Sequence, residues 1–145
     1  MDKTFSQKRK KSNGFTLIEL LIVMVIIGLL GALVVPKFIG QVGKSKQTAA
    51  KAQIEMLSNA LEMYRLDTGK YPPQGEGLKA LINKPGEVNN WKGPYLKKNV
   101  IPKDPWGAEY VYKHPGEHGD YDILSYGADG NEGGTDEDAD VVSWE

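Results

Sequence analysis

Between Phe15 and Val35 the chain runs for 21 residues with a single charged side chain, Glu19. About 20 apolar residues are what a helix needs to cross the hydrocarbon of a bilayer. A cleavable secretory signal has a shorter apolar part and ends on small residues; Leu33-Val34-Val35-Pro36 offers no such cut. Five basic residues (Lys3, Lys8, Arg9, Lys10, Lys11) precede the run, and three lysines (Lys37, Lys44, Lys46) follow it. That imbalance favours a single span with its N-terminus in the cytoplasm.

Glu19 sits badly in such a span. An ionised carboxylate in hydrocarbon costs roughly 2.5–3.5 kcal/mol on insertion scales and marks a functional position that needs a partner. A cut just before Phe15 would create one. The new α-amino group of a neighbouring copy could then meet Glu19, the fifth residue of the trimmed chain, in a low dielectric where such pairing is strongest. The string Lys10-Lys11-Ser12-Asn13-Gly14-Phe15-Thr16-Leu17-Ile18-Glu19-Leu20 resembles the processing site of type IV pilins and type II secretion pseudopilins. The resemblance implies cleavage after Gly14 by a prepilin peptidase and methylation of Phe15 as the new N-terminus. It also implies that Glu19 sets subunit register during assembly.

Past Pro36 the pattern becomes amphipathic. Ile54, Leu57, Leu61 and Tyr64 recur at the spacing of one helix face, with Lys51, Gln53, Glu55, Ser58 and Glu62 on the polar side. Gly69 is placed to end the helix. A helix from about 15 to about 66 would be about 78 Å long at 1.5 Å per residue. No domain this small needs that length for itself, so half of it serves a membrane or neighbouring subunits. Pro36 removes one backbone hydrogen bond, and Gly40 and Gly43 lower helix propensity beyond it. Two readings of this weak point stand: a plain kink at the membrane exit, or, as the resemblance to pilins implies, a stretch that bends or partly unwinds when subunits pack into a filament.

Residues 70–145 are punctuated by turns at Tyr71-Pro72-Pro73, Pro85-Gly86, Gly93-Pro94, Asp104-Pro105-Trp106-Gly107 and Pro115-Gly116. A short helix is expected over Gly77–Ile82. Strands are expected over Glu109–Lys113 and Tyr121–Tyr126, joined by the His114–Asp120 loop, with a third over Val141–Trp144. The Ile54/Leu57/Leu61/Tyr64 stripe is the natural cover for such a sheet, giving an α+β fold. The chain has no cysteine, which excludes disulfides, thiol chemistry and Cys-based zinc sites.

The formal net charge of −1 conceals a polarity along the chain. Beyond residue 14 there are 13 Lys/Arg against 18 Asp/Glu, and residues 129–145 hold seven acids and no base. Six of the acids fall within Asp129–Asp140. Such a run is either a solvated loop or a site for a hard cation that takes oxygen ligands, as calcium does. An EF-hand is excluded: the fifth position is Gly133, the twelfth is Asp140 rather than Glu, and a strand precedes the loop.

A second resemblance rests on Tyr71-Pro72, Gly77-Leu78, Ala80-Leu81, Gly93-Pro94-Tyr95-Leu96, Pro102-Lys103-Asp104-Pro105-Trp106-Gly107, Tyr110-Val111-Tyr112, Pro115-Gly116, His118-Gly119, Asp122, Ser125 and Gly127-Ala128-Asp129-Gly130. Together these resemble the major pseudopilins of type II secretion systems, over nearly the whole chain from Gly14. The resemblance implies a type IV pilin-like fold with a calcium-binding C-terminal loop. Asp129 would give a side-chain ligand and Tyr126 a carbonyl, with Asp140 and its near neighbours closing the shell. Whether Asp138 or Asp136 completes it stays open. The Asp104-Pro105-Trp106-Gly107 turn is expected to be structural, packing its Trp.

The expected organisation is a basic leader (1–14), a transmembrane and filament-core helix (15–35), the amphipathic second half of that helix (36–69) and a periplasmic domain (70–145). Catalysis is not expected. Asp122 and Ser125, three apart on a strand, face opposite ways, and no phosphate loop, Gly-x-Ser-x-Gly or His-Glu-x-x-His occurs. Nucleic-acid binding is not expected either, because the basic cluster lies in the leader. The favoured reading is the major subunit of a periplasmic pseudopilus that drives export of folded proteins across the outer membrane. Surface-pilus subunit is the alternative, and a calcium-binding tether that never polymerises is a third. The resemblance further implies a homopolymer served by an inner-membrane assembly platform, minor pseudopilins and a secretion ATPase.

Overall fold

A computed structural model describes residues 14–145, apart from the side chains of residues 36–39. The leader residues 1–13 therefore lie outside it. Helical backbone, α1, runs over Leu17–Thr68, 52 residues, against the expected 15 to 66. Two compact units divide the chain after Phe38.

In the first unit the large apolar side chains from Leu17 to Val35 are all exposed, from 47% at Val23 to 85% at Leu17. Its best 18-residue window has a mean hydropathy of 3.0, enough in length and composition to cross a membrane. Pro36, the expected weak point, falls within the range of α1; its side chain is among those outside the described residues.

In the second unit α1 supplies the wall of the core. Ala50, Ile54, Leu57, Ala60, Leu61 and Tyr64 are all buried, while Met56, Met63 and Leu66 point to solvent. The helix ends as expected: Gly69 has φ +82° and donates its N–H to the Arg65 carbonyl at 2.8 Å, a left-handed step that glycine takes without strain. The returning chain is then pinned to the helix, because the Tyr71 hydroxyl donates to Glu62 Oε1 at 2.5 Å and the Arg65 guanidinium lies over the Tyr71 ring.

The expected helix at Gly77–Ile82 is a 3-10 helix, Gly77–Leu81, with Leu78, Ala80 and Leu81 buried. The sheet has three antiparallel strands in the order β1 (Val111–Lys113), β2 (Asp122–Ser125) and β3 (Val141–Val142). Val111 faces Leu124, and Leu124 faces Val142. Each strand is shorter than the sequence suggests, for identifiable reasons. The Ala108 carbonyl accepts from Asp104 N–H rather than from the sheet. Gly127, at φ +66°, turns the chain just after Tyr126. The Ser143 hydroxyl accepts the Ile123 N–H, and Trp144 stacks on His118 at 3.8 Å.

A sheet of this size cannot hold itself together, and the α1 stripe covers it within a single core cluster. Truncating Leu57 to Ala should therefore cost about 2–5 kcal/mol, whereas Met56→Ala, one position away on the solvent face, should change stability by less than about 0.5 kcal/mol. Denaturant unfolding of the two variants in detergent, followed by near-UV circular dichroism, checks this.

Candidate functional site

Two regions carry the residues singled out by the sequence. At the N-terminus, Gly14 and Phe15 are exposed and precede α1, Phe15 with 82% of its surface free. Thr16 and Glu19 bond reciprocally. Glu19 N–H donates to Thr16 Oγ1 at 3.3 Å, while Thr16 N–H and its hydroxyl donate to Glu19 Oε2 at 3.3 and 3.2 Å. This is a capping box, in which two orphan donors of the first turn are satisfied and the carboxylate faces the positive end of the helix dipole. Thr16-x-x-Glu19 is a readable signature of that box. The lone charge of Glu19 in an apolar run points to a partner in another subunit; the Thr16 pairing adds a local one within its own helix.

At the other end, the acidic loop closes on itself. Ala128 N–H donates to the Glu137 carbonyl at 2.9 Å, and a Cβ on Gly127 would lie 2.8 Å from the Asp138 backbone carbonyl. The segment after β2 and the segment before β3 therefore touch. Asp136–Asp138 form one turn of 3-10 helix that the sequence did not suggest. Asp140 is half-buried. Its Oδ2 accepts Gly133 N–H at 2.9 Å, and its Oδ1 is buried without a hydrogen-bond partner. Asp129, Asp136 and Asp138 are exposed, and Tyr126 is half-buried just before Gly127. Asp129 Oδ1 accepts from Asn131 N–H at 3.0 Å.

The donor set suits calcium in kind. It offers carboxylates and carbonyls, one carboxylate oxygen is buried and unpaired, and the two loop ends already lie together. Among the described residues no three His, Asp or Glu side chains converge to hold a metal by themselves. A shell here needs backbone carbonyls beside the carboxylates, which calcium accepts readily.

Two buried carboxylates organise the turns around the sheet. Asp104 accepts from Trp106 N–H and Ala108 N–H at 3.1 and 2.8 Å, and the Ser125 hydroxyl donates to its other oxygen at 2.5 Å. Trp106 packs against the core as expected, and the buried group at the centre of the turn is Asp104. Asp122 accepts from Glu117 N–H at 2.8 Å and lies 3.2 Å from His118 Nδ1, which folds the hairpin loop. Ser125 bonds to Asp104 and His118 to Asp122, so the hydroxyl and the imidazole have different partners.

Burial raises the Asp122 carboxyl, but the backbone N–H of Glu117 and the His118 side chain outweigh it and hold it below the usual carboxylate value. A depressed carboxyl stabilises the fold above its unfolded value, about 3.9, and that stability is lost as pH falls through the lower folded value. Melting temperature followed from pH 6 downward should fall more in the wild type than in Asp122→Asn, which starts lower.

A long apolar-to-amphipathic helix with a capped acid at its start, laid over a small sheet, defines a pilin-like subunit. A family model described as the prokaryotic N-terminal methylation motif matches residues 9–35, and one described as type II secretion system (T2SS), protein G, matches residues 37–144. The type II secretion system core protein G of Pseudomonas aeruginosa is 47% identical over 142 residues, covering 95% of this chain and 99% of that protein. The Vibrio cholerae protein of the same name is 45% identical, covering 95% of each. The crystal structure of the major pseudopilin from the type 2 secretion system of enterohaemorrhagic Escherichia coli matches with a TM-score of 0.63 at 35% identity, over 72% of this chain and 87% of that one. The chain belongs to the type II secretion system protein G family.

Proposed function

We propose that this chain is the major structural subunit of a pseudopilus, polymerising in the periplasm to drive folded proteins across the outer membrane. The observation that carries the reading is the exposure of every large apolar side chain from Leu17 to Val35, in a chain of the protein G family. Such a surface has to be covered by lipid before assembly and by other subunits after it. The surface-pilus alternative loses its ground, since the relatives are secretion-system proteins. A family of structural subunits also fits a chain whose Ser125, His118 and Asp122 are committed to its own packing.

The finer steps follow from the same residues. A prepilin peptidase removes residues 1–14 after Gly14, and the new Phe15 amine is methylated. The N-terminus starts in the cytoplasm, and the domain beyond the inner-membrane span lies in the periplasm. Among the described residues, both donors from Thr16 reach Oε2 of Glu19, which leaves Oε1 for the amine of a neighbouring subunit, so capping and register-setting do not compete. An inner-membrane platform, a secretion ATPase and minor pseudopilins complete the machine. Deleting the gene should trap folded exoproteins in the periplasm and leave surface fibres unchanged, and complementation with Glu19→Ala should not restore secretion. Normal secretion with lost surface fibres would mean a pilus subunit. Full rescue by Glu19→Ala would mean a tether that does not polymerise.

The acidic loop is assigned to calcium. Asp129, Asp140 and either Asp138 or Asp136 would hold the ion by carboxylates, with Tyr126 contributing a carbonyl. The ion would neutralise the crowded acids and fasten the segment after β2 to the segment before β3, a fastening that a chain without cysteine cannot make by disulfide. Chelator should lower the melting temperature of the subunit, and added calcium should restore it. A melt that ignores chelator would sink the assignment.

A further inference from the structure

The acidic loop does not stand free of the helix. Gln47 Nε2 donates to the Asp136 carbonyl, and one turn earlier Gly43 is buried. A Cβ built on Gly43 would overlap Glu137 Cγ and lie 2.7 Å from its Cδ. Gly40, in the same helix and one turn nearer the membrane segment, is exposed, and a Cβ there would meet nothing within 4 Å. Helix-interior glycine is disfavoured by roughly 0.5–1 kcal/mol relative to alanine. At Gly43 that cost has a local counterpart in the space it leaves for the Glu137 side chain, to which the three nearest atoms all belong.

We infer that Gly43 and Gln47 form a docking notch on α1 for the Asp136–Asp138 turn, and that Gly43 is a positioning residue for the calcium loop. The inference rests on the calcium assignment and adds the helix as the loop's third support. The chain from Asp136 to Asp140 must present its carboxylates toward the Tyr126–Asp129 side. The Ala128 to Glu137 bond ties the turn to the end of β2, and the Gly133 to Asp140 bond sets the loop's internal shape. The Gln47 bond and the Gly43 notch add the helix, at the first two residues of that turn. Ordering the loop in advance of the ion is a preorganisation effect, and it acts on affinity rather than on the ligands themselves. The first turns of the second unit are thereby tied to the ion site, so loop order and helix order rise and fall together.

The test compares Gly43→Ala with Gly40→Ala in the full trimmed chain in detergent. Both substitutions favour helix equally, but only the first fills the notch. Calcium titration followed by calorimetry should show binding weaker by a factor of about 2–3 for Gly43→Ala, because the Glu137 side chain must move aside and the turn is less well ordered in advance, and no change for Gly40→Ala. Amide exchange over residues 128–138 should speed up in Gly43→Ala alone, while the melting temperature in chelator stays close to wild type in both. Truncating the clashing side chain, in the double variant Gly43→Ala, Glu137→Ala, should restore affinity toward that of Glu137→Ala alone. Equal affinities and equal exchange for the two glycine variants, or no recovery in the double variant, would overturn the inference. A wild-type chain that binds no calcium would overturn the calcium assignment and the positioning role with it. The exchange pattern would then decide the docking notch by itself.

Discussion

The packing of one helix face against three very short strands is the interaction on which the second unit depends. Tyr64, Leu57, Leu61 and Ile123 are among its largest fully buried side chains. Strands of three, four and two residues have too few ladder bonds to define a sheet alone. Their register is fixed instead by what lies beneath them. β2 is buried along its whole length, enclosed by its two neighbours and the core.

Because the strands are so short, the loops carry much of the order, and carboxylates supply it. Asp104 and Asp122 each gather two backbone N–H groups and one side-chain partner. A buried carboxylate is costly unless its lone pairs are filled, and here filling them is what folds the turn. Asp104 also ties its turn to the centre of the sheet through Ser125. Loss of either acid would leave several N–H groups unsatisfied at once, which makes these positions more sensitive than their small size suggests.

The elements legible in the sequence are those with a local period or a local stop signal. The stripe of Ile54, Leu57, Leu61 and Tyr64 gave the helix and its buried face, and Gly69 its end, within two residues of the observed Thr68. The hairpin and the final strand followed from β-branched and aromatic runs between turns. What escaped depends on residues far apart in the chain. Asp104 meets Ser125 across 21 positions and Gln47 meets Asp136 across 89; no periodicity announces either. By propensity Gly43 is only a weak helix former; its close neighbour Glu137 is visible only once the loop is in place. The Thr16–Glu19 box was readable and was masked by the stronger signal of a lone acid in an apolar run.

The two units solve opposite problems with the same helix. In the second, one face of α1 is matched by its own chain, so the domain is complete in its core. In the first, every large apolar side chain from Leu17 to Val35 is left uncovered, and the one charge in that run, Glu19, is satisfied by its own first turn. Hydrocarbon gives no hydrophobic reason for such a helix to leave the bilayer for a bundle of like helices, because lipid tails are as apolar as leucine. The difference between the two states then comes from close packing, lipid entropy and polar contacts between helices. Glu19 is the only charged side chain from Phe15 to Val35, and the capping box holds its cost down in the lone subunit. In the proposed pseudopilus the polar share of that difference would fall at the start of the helix, where Glu19 stands, beside the close packing of the apolar stripe.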